Sequence, residues 1–251
     1  MEDAPRVTKD MIKECLAKLG IVQGDIVFFH SSLKSIGHVE GGSDAVIDAF
    51  LETLGNNGTL VLPALCSYDC KTGADWEKMS LEMMKKAWNI QTTPTFTGLI
   101  PETLRKRPGS LRSDNITHSV TAVGRYASEI TKDHKQAHGG EEAANRPVWA
   151  SPGAFGESSP WDKLYTLDAK YMLIGVGFHS CTMLHHVQVV LWENYLKKID
   201  DHAPWPKIDF IQVGQKLEDL GIIQIGKIGN AVTKLMSSRS LVDTAVSVLR
   251  S

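Results

Sequence analysis

The chain has 251 residues, 42% of them hydrophobic, and a formal net charge of −2 with acidic and basic residues interspersed. That length and apolar content are enough to bury a substantial core, and one large α/β unit over residues 1–251 is expected. The absence of a basic face or run argues against a nucleic-acid partner, and no apolar stretch is long enough to span a bilayer. The opening Met-Glu-Asp-Ala-Pro-Arg lacks the apolar segment of a signal peptide, so a cytoplasmic location is expected. Cys15, Cys66, Cys70 and Cys181 show no Cys-x-x-Cys spacing, which predicts free thiols and no regular metal-ligand set.

In chain order, Ile12, Cys15, Leu16 and Leu19 recur at helical spacing and stop at Gly20, which predicts a helix over 8–19. Gly24-Asp25 turns the chain into the apolar run Ile26–Phe29, a strand covered on both faces. A helix N-capped by Ser43 and running through Leu54 follows, and Thr59–Pro63 makes a second strand. The strand, helix, strand order predicts parallel pairing through a right-handed crossover. Residues 66–92 suggest an excursion with one helix around 78–89, and Thr93-Pro94-Thr95 with Gly98 opens a helix through Arg105. Ser119–Val123 alternates as a strand, and 139–152, rich in Gly and Pro, is a loop insertion. A buried strand over 171–176, a helix over 182–197, a break at Ala203–Pro206, a strand over 222–225 and a helix over 240–249 complete the chain. The sum is an α/β layered sandwich around a mixed, mainly parallel sheet, with helical and loop excursions.

The stretch His179–Gln188 carries the chemistry, because it follows a buried strand through Gly175 and Gly177 and then opens a helix. His185 in the first turn lies near the positive end of the helix dipole, which disfavours imidazolium and suits the ring to accept a proton; a histidine satisfied by packing is the alternative. His30-Ser31-Ser32-Leu33 sits where another buried strand ends, so its hydroxyls and backbone amides can meet a phosphate or an amide-rich chain, or form an ordinary serine turn. Lys34, Arg112 and Lys227 are further cations that can meet a phosphate or stay solvated. No Gly-x-Ser-x-Gly elbow is present, which ranks a serine hydrolase low. His179, His185 and His186 do not converge as a metal set, since adjacent helical residues point about 100° apart.

The ordered motifs Leu-Gly-Ile-x-x-Gly-Asp, His30-Ser-Ser-Leu-Lys-Ser-Ile-Gly37, Gly58-Thr-Leu-Val-Leu-Pro63, Thr93-Pro-Thr95, Arg112-Ser113, Ser158-Ser-Pro-x-x-Lys-Leu-Tyr165 and Thr182-x-x-His185 run from about residue 8 to the Gly226–Gly229 segment. Their order and spacing resemble the aminoglycoside 3-N-acetyltransferase family. The resemblance implies acetyl-CoA as co-substrate, transfer to the 3-amino group of an aminoglycoside, and no metal. It implies His185 as the base that takes the amine proton. It implies that Ser31, Ser32, Leu33, Ile36, Thr93 and Thr95 line the coenzyme groove, and His30, Lys34, Arg112 and Ser119 are further coenzyme-contact candidates on the residues alone; the acceptor candidates are Asn115, His179 and Gln188, with Glu157 and Asp162 flanking the Ser-Pro stretch as either acceptor contacts or exposed surface residues.

Three positions depart from the family pattern. Asn115 stands where a histidine is usual, His179 where an aspartate is, and Gln188 where a glutamate is. Asp114 and His118 are the neighbours placed to compensate. Loss of two carboxylates predicts a weaker base and weaker attraction for polycations. Three expectations follow: aminoglycoside acetylation, acetylation of a different small amine, or CoA binding without catalysis.

Overall fold

The computed structural model describes residues 6–68, 79, 81–134, 152–200 and 203–250. Thr8 caps the first helix, α1 (Lys9–Lys18), by accepting from Met11 N, and Ile12 and Leu16 bury one stripe of it. A two-residue strand β1 (Arg6–Val7) pairs with β3 (His38–Val39), and between them lie β2 (Ile26–Ser31) and the single turn α2 (Leu33–Ile36). Then come α3 (Gly42–Leu54), β4 (Thr59–Pro63), α4 (Leu81–Ala87), α5 (Leu99–Lys106), β5 (Leu111–Arg112), β6 (Val120–Gly124) and α6 (Ala127–Thr131). The second half holds α7 (Pro152–Phe155), α8 (Pro160–Thr166), β7 (Lys170–Ile174), a 3-10 turn (Phe178–Ser180) and α9 (Met183–Leu191). A π turn (Trp192–Leu196) and α10 (Lys197–Ile199) prolong α9. The chain closes with α11 (Phe210–Asp219), β8 (Gln224–Ile228), β9 (Ala231–Ser237) and α12 (Ser238–Arg250).

Seven strands form the main sheet in the order β5-β6-β4-β2-β7-β9-β8. Strand β2 is parallel to both β4 and β7, while the four outer pairings are antiparallel. The expected mixed sheet is present, but it is mainly antiparallel and not mainly parallel, since only the two pairings among the three central strands are parallel and the outer strands return through hairpins and antiparallel neighbours. Alternation explains the layers. Val27, Phe29, Leu60, Leu62, Met172 and Ile174 face a cluster with α1, α3 and α5, whereas Phe28, Val61, Tyr171 and Leu173 face one with α6, α8, α9 and α12. Each buried Phe or Leu of this kind contributes about 1.5–3 kcal/mol.

Several boundaries differ from expectation for local reasons. The N-cap of α3 is Gly41 in the left-handed region, and Ser43, two residues further on, shares a hydrogen bond with Thr103 Oγ1 at 2.8 Å instead. Gly98 caps α5, because Thr95 Oγ1 is engaged with Leu65 O and Thr97 Oγ1. The helix expected around 78–89 is α4, and most of the 139–152 insertion lies outside the described residues. The strand expected over 222–225 is β8, displaced toward the C-terminus, and β9, which pairs with both β7 and β8, was not expected. Gly175, at φ +65°, ends β7 where a Cβ would come within 2.4 Å of Ser35 Cβ, so this turn excludes a side chain.

Candidate active site

The carboxyl ends of β2, β4 and β7 lie at one edge of the sheet, and the antiparallel β6 and β9 start there. Open α/β sheets hold ligands at this edge. It collects Ser31 from β2, Gly175 after β7 and, through the 3-10 turn, the start of α9 with His185.

Thr182 bolts that helix start to the sheet. Its Oγ1 accepts from Trp161 Nε1 at 2.9 Å, since an indole N–H is a donor alone, and lies 2.9 Å from His30 Nε2 and 3.4 Å from Tyr171 OH. Its hydroxyl therefore does not cap α9. His30, Trp161 and Tyr171 surround Phe28, with Tyr171 stacked on it at 5.0 Å. Burial holds His30 down to about 3, and the nearby His185 and His179 push it the same way.

His185 is partly exposed and walled by aromatic rings, Phe155 tilted at 4.8 Å and Phe210 edge-on at 4.8 Å. Its Nδ1 lies 2.7 Å from Gln188 Oε1, and Gln188 Nε2 donates to Pro206 O at 2.7 Å. Desolvation lowers His185 to about 4, against a smaller upward pull from Gln188. A pKa this low leaves the ring neutral at pH 7, and burial is its cause.

Phe155 is itself fixed by two other neutral histidines. His186 Nδ1 donates to Phe155 O at 2.6 Å, and His134 Nε2 donates to Ala154 O at 2.9 Å. His134 Nδ1 then accepts from Ser113 Oγ, which in turn accepts from Val120 N. Burial lowers both rings, His134 to about 4. Phe155, Trp161, Phe210, His134 and His186 carry no motif signal of their own. The sequence cues to this corner are the Thr182-x-x-His185 spacing, the glycine turn from β7 into α9 and His30 at the end of β2.

A second cluster occupies the β4–β5–β6 part of the same edge. Arg112 Nε donates to Ser119 Oγ at 2.7 Å, Nη2 to Ala64 O at 2.9 Å, and Nη1 to Thr93 O, with Trp88 stacked at 4.7 Å from the guanidinium. Burial lowers its pKa, yet a guanidinium stays charged at any physiological pH. Arg112 also borders a cavity of about 670 Å³ lined by Arg105, Lys106, Arg107, Ser110 and residues 90–92.

The expected coenzyme contacts divide accordingly. Ser31, Ser32, Leu33 and exposed Lys34 lie together at the β2–α2 junction. The Ser31 hydroxyl is buried without a partner, whereas Ser32 Oγ caps α2 by accepting from Ser35. Ile36 is a fully buried core residue and presents no side chain to a groove. Thr93, Thr95 and Ser119 spend their hydroxyls on local backbone: Asn89 N, Leu65 O and Ala64 O.

The expected acceptor contacts change more. Asn115 is fully buried, with Oδ1 taking Thr117 N, Thr117 Oγ1 and His118 N, so it stabilises a turn and is not presented to an acceptor. Asp162 completes a reciprocal cap, accepting from Ser158 N while Ser159 Oγ accepts Asp162 N. Gln188 faces His185. His179 and Glu157 are exposed, and Asp114 accepts from Trp88 Nε1. His118 meets Phe155 in an edge-on arrangement at 4.9 Å. Among the described residues no group of three histidine, cysteine or carboxylate side chains is arranged to hold a metal ion, and no helix is long and apolar enough to cross a membrane.

A three-layer α/β sandwich with an aromatic-walled, neutral histidine at the carboxyl edge of its parallel strands defines a site suited to taking a proton from a nucleophile. Residues 28–250 match the aminoglycoside 3-N-acetyltransferase family, and the chain belongs to that family. It is 30% identical, over 95% of this chain and 90% of the relative, to the SPbeta prophage-derived aminoglycoside N(3')-acetyltransferase-like protein YokD of Bacillus subtilis strain 168. It is 26% identical, over 97% and 91%, to aminoglycoside N(3)-acetyltransferase VII of Streptomyces paromomycinus. The solved structure of the Bacillus subtilis YokD protein superposes with a TM-score of 0.73 at 27% identity, covering 98% of this chain and 94% of that one. A structure described as AAC-IIIb in binary complex with CoASH shares the fold, with a TM-score of 0.75 at 23% identity over 98% and 97%.

Proposed function

We propose that this protein is an acetyl-CoA-dependent N-acetyltransferase whose acceptor is an amine, the 3-amino group of an aminoglycoside, and whose general base is His185. The observation that carries the proposal is the His185 ring, neutral, walled by Phe155 and Phe210, and set beside the carboxyl ends of β2 and β7. The family membership and the relatives' named activities support the reaction class.

The residues present suit the coenzyme at one definite point. The Ser31 hydroxyl is a buried polar group without a hydrogen-bond partner among the described residues, at the end of β2, and such groups are costly unless something meets them. An amide or phosphoryl oxygen of the coenzyme would meet it, with exposed Lys34 supplying charge nearby. Acetyl-CoA supplies the acetyl group as an activated thioester. His185 takes the proton that the acceptor amine releases as its nitrogen bonds to the acetyl carbon and the carbon–sulfur bond breaks. The aromatic walls desolvate the ring and hold it uncharged, so that it is ready to accept.

A thiol-release assay with acetyl-CoA and gentamicin, tobramycin and neomycin tests the proposal. Turnover by the native chain and a loss of about 10²–10⁴-fold in His185→Ala are expected for removal of a general base. Native-like turnover in His185→Ala contradicts the assignment of the base. Turnover with a simple non-aminoglycoside amine alone would redirect the acceptor class, a reading favoured by Gln188 and His179 at the two positions where carboxylates were expected. CoA binding with no turnover on any amine would leave a binding protein.

A further inference from the structure

The amide of Gln188 has two chemically different ends, and the structure gives each a partner. Pro206 O is a carbonyl and can do nothing but accept, so the group 2.7 Å from it is the NH₂ end, Nε2. Oε1, at the other end, is then an acceptor, and it lies 2.7 Å from His185 Nδ1. Two lone pairs do not approach this closely, so Nδ1 carries a hydrogen. A neutral imidazole has one N–H, which places its lone pair on Nε2.

We infer that Gln188, anchored by the Pro206 carbonyl, is a positioning residue that selects the Nδ1–H tautomer of His185 and so makes Nε2 the proton acceptor without adding a charge to the site. This rests on the acetyl-transfer function proposed above. The residues between Ala203 and Phe210 thereby hold the base at two points, Pro206 through the Gln188 amide and Phe210 by its ring edge. The arrangement also explains why an amide suits position 188. A carboxylate there would set an acceptor against Pro206 O and lose that bond, while stabilising the imidazolium on its other side.

Among the described residues, the charged and titratable side chains on the surrounding elements are engaged elsewhere or exposed. His30, on β2, is engaged with Thr182, and His186, next along α9, with Phe155 O. Asp162 on α8 caps its own helix, Lys163 bonds Ile130 O, and Asp243 on α12 accepts from Tyr165 OH. Asp209 caps α11 through Ile211 N and Gln212 N, and His179 and Glu157 are exposed.

Histidine ¹⁵N NMR of the full chain, with His185→Ala to assign the signal, tests the tautomer without any acceptor. The native protein is expected to show a neutral His185 protonated at Nδ1 at pH 7. Gln188→Leu is expected to give mixed tautomers and a fall of about 10–100-fold in kcat, within the span that base misplacement commonly produces. Gln188→Glu is expected to raise the His185 titration midpoint by about one unit or more, and the acid limb of the kcat/KM profile with it. If Gln188→Leu does not fold, the Gln188→Glu titration decides. An Nε2–H tautomer in the native protein, or a Gln188→Glu midpoint that does not rise, overturns the inference. Loss of activity in His185→Ala with native kcat in Gln188→Leu removes Gln188 alone, whereas undiminished activity in His185→Ala removes the underlying base assignment.

Discussion

Two quarters of one sheet edge solve the problem of buried polar groups in opposite ways. At the β4–β5–β6 quarter, Arg112 keeps its charge and spreads it over Ala64 O, Thr93 O and Ser119 Oγ, so its donors are consumed by the fold. At the β2–β7 quarter, His30, His185, His186 and His134 are neutral, because burial removes the proton that water would otherwise stabilise. A charged group braced by carbonyls is a strut. A neutral ring among aromatic walls keeps its capacity to accept a proton, and that difference separates scaffold from reactive corner.

The contrast is most severely tested by Phe155→Ala. This ring is fully buried and touches His118, Trp161 and His185, so its removal is expected to cost about 3–5 kcal/mol in chemical denaturation and to lower activity as well. Arg112→Leu is expected to cost about 3 kcal/mol, because it strands the two carbonyls and Ser119, with no change in the acid limb of the residual activity. A shifted limb in that variant would erase the distinction between the quarters. Thr182→Val, which removes the acceptor for Trp161 Nε1, is expected to cost about 1–3 kcal/mol. A cost indistinguishable from zero would mean that Thr182 does not fasten α9.

The pH dependence of stability follows with a definite sign. His134 and His185 have folded pKa values near 4, below the ordinary histidine value, so the unfolded chain takes up their protons first as pH falls. Their stabilisation is complete above about pH 6.5 and is lost progressively toward pH 4. Urea midpoints are expected to fall over that window, and less steeply in His134→Gln. The smallest effect is expected at Glu52, whose contacts with Lys9 and Lys13 are exposed, so Glu52→Ala should leave the melting temperature unchanged within error.

The layers were legible in the sequence because Ile26–Phe29, Thr59–Pro63 and Tyr171–Ile174 are apolar on both faces, a signature local enough to read directly. Strand β8 was displaced and its partner β9 missed, because Gln224, Ile225 and Lys227 are exposed on an edge strand and carry little periodic signal. Helix α11 was missed for a related reason, its apolar stripe being short and its N-cap Asp209 following a Pro-rich break. At the site, Thr182 and His185 were visible as a spaced pair. Phe155 and Phe210 were not, since they arrive from 30 residues before and 25 residues after His185 and converge by tertiary packing alone. Asn115 was singled out by its place in the family pattern, and the sequence does not show that backbone groups consume its side chain and that of Ser119.

A crystal structure of the chain with CoA tests the central claim most directly. The thiol sulfur is expected beside His185 Nε2, at direct or single-water distance, about 3–6 Å. A sulfur seated instead against the Arg112 cluster, with His185 turned away from the bound coenzyme, would contradict the account.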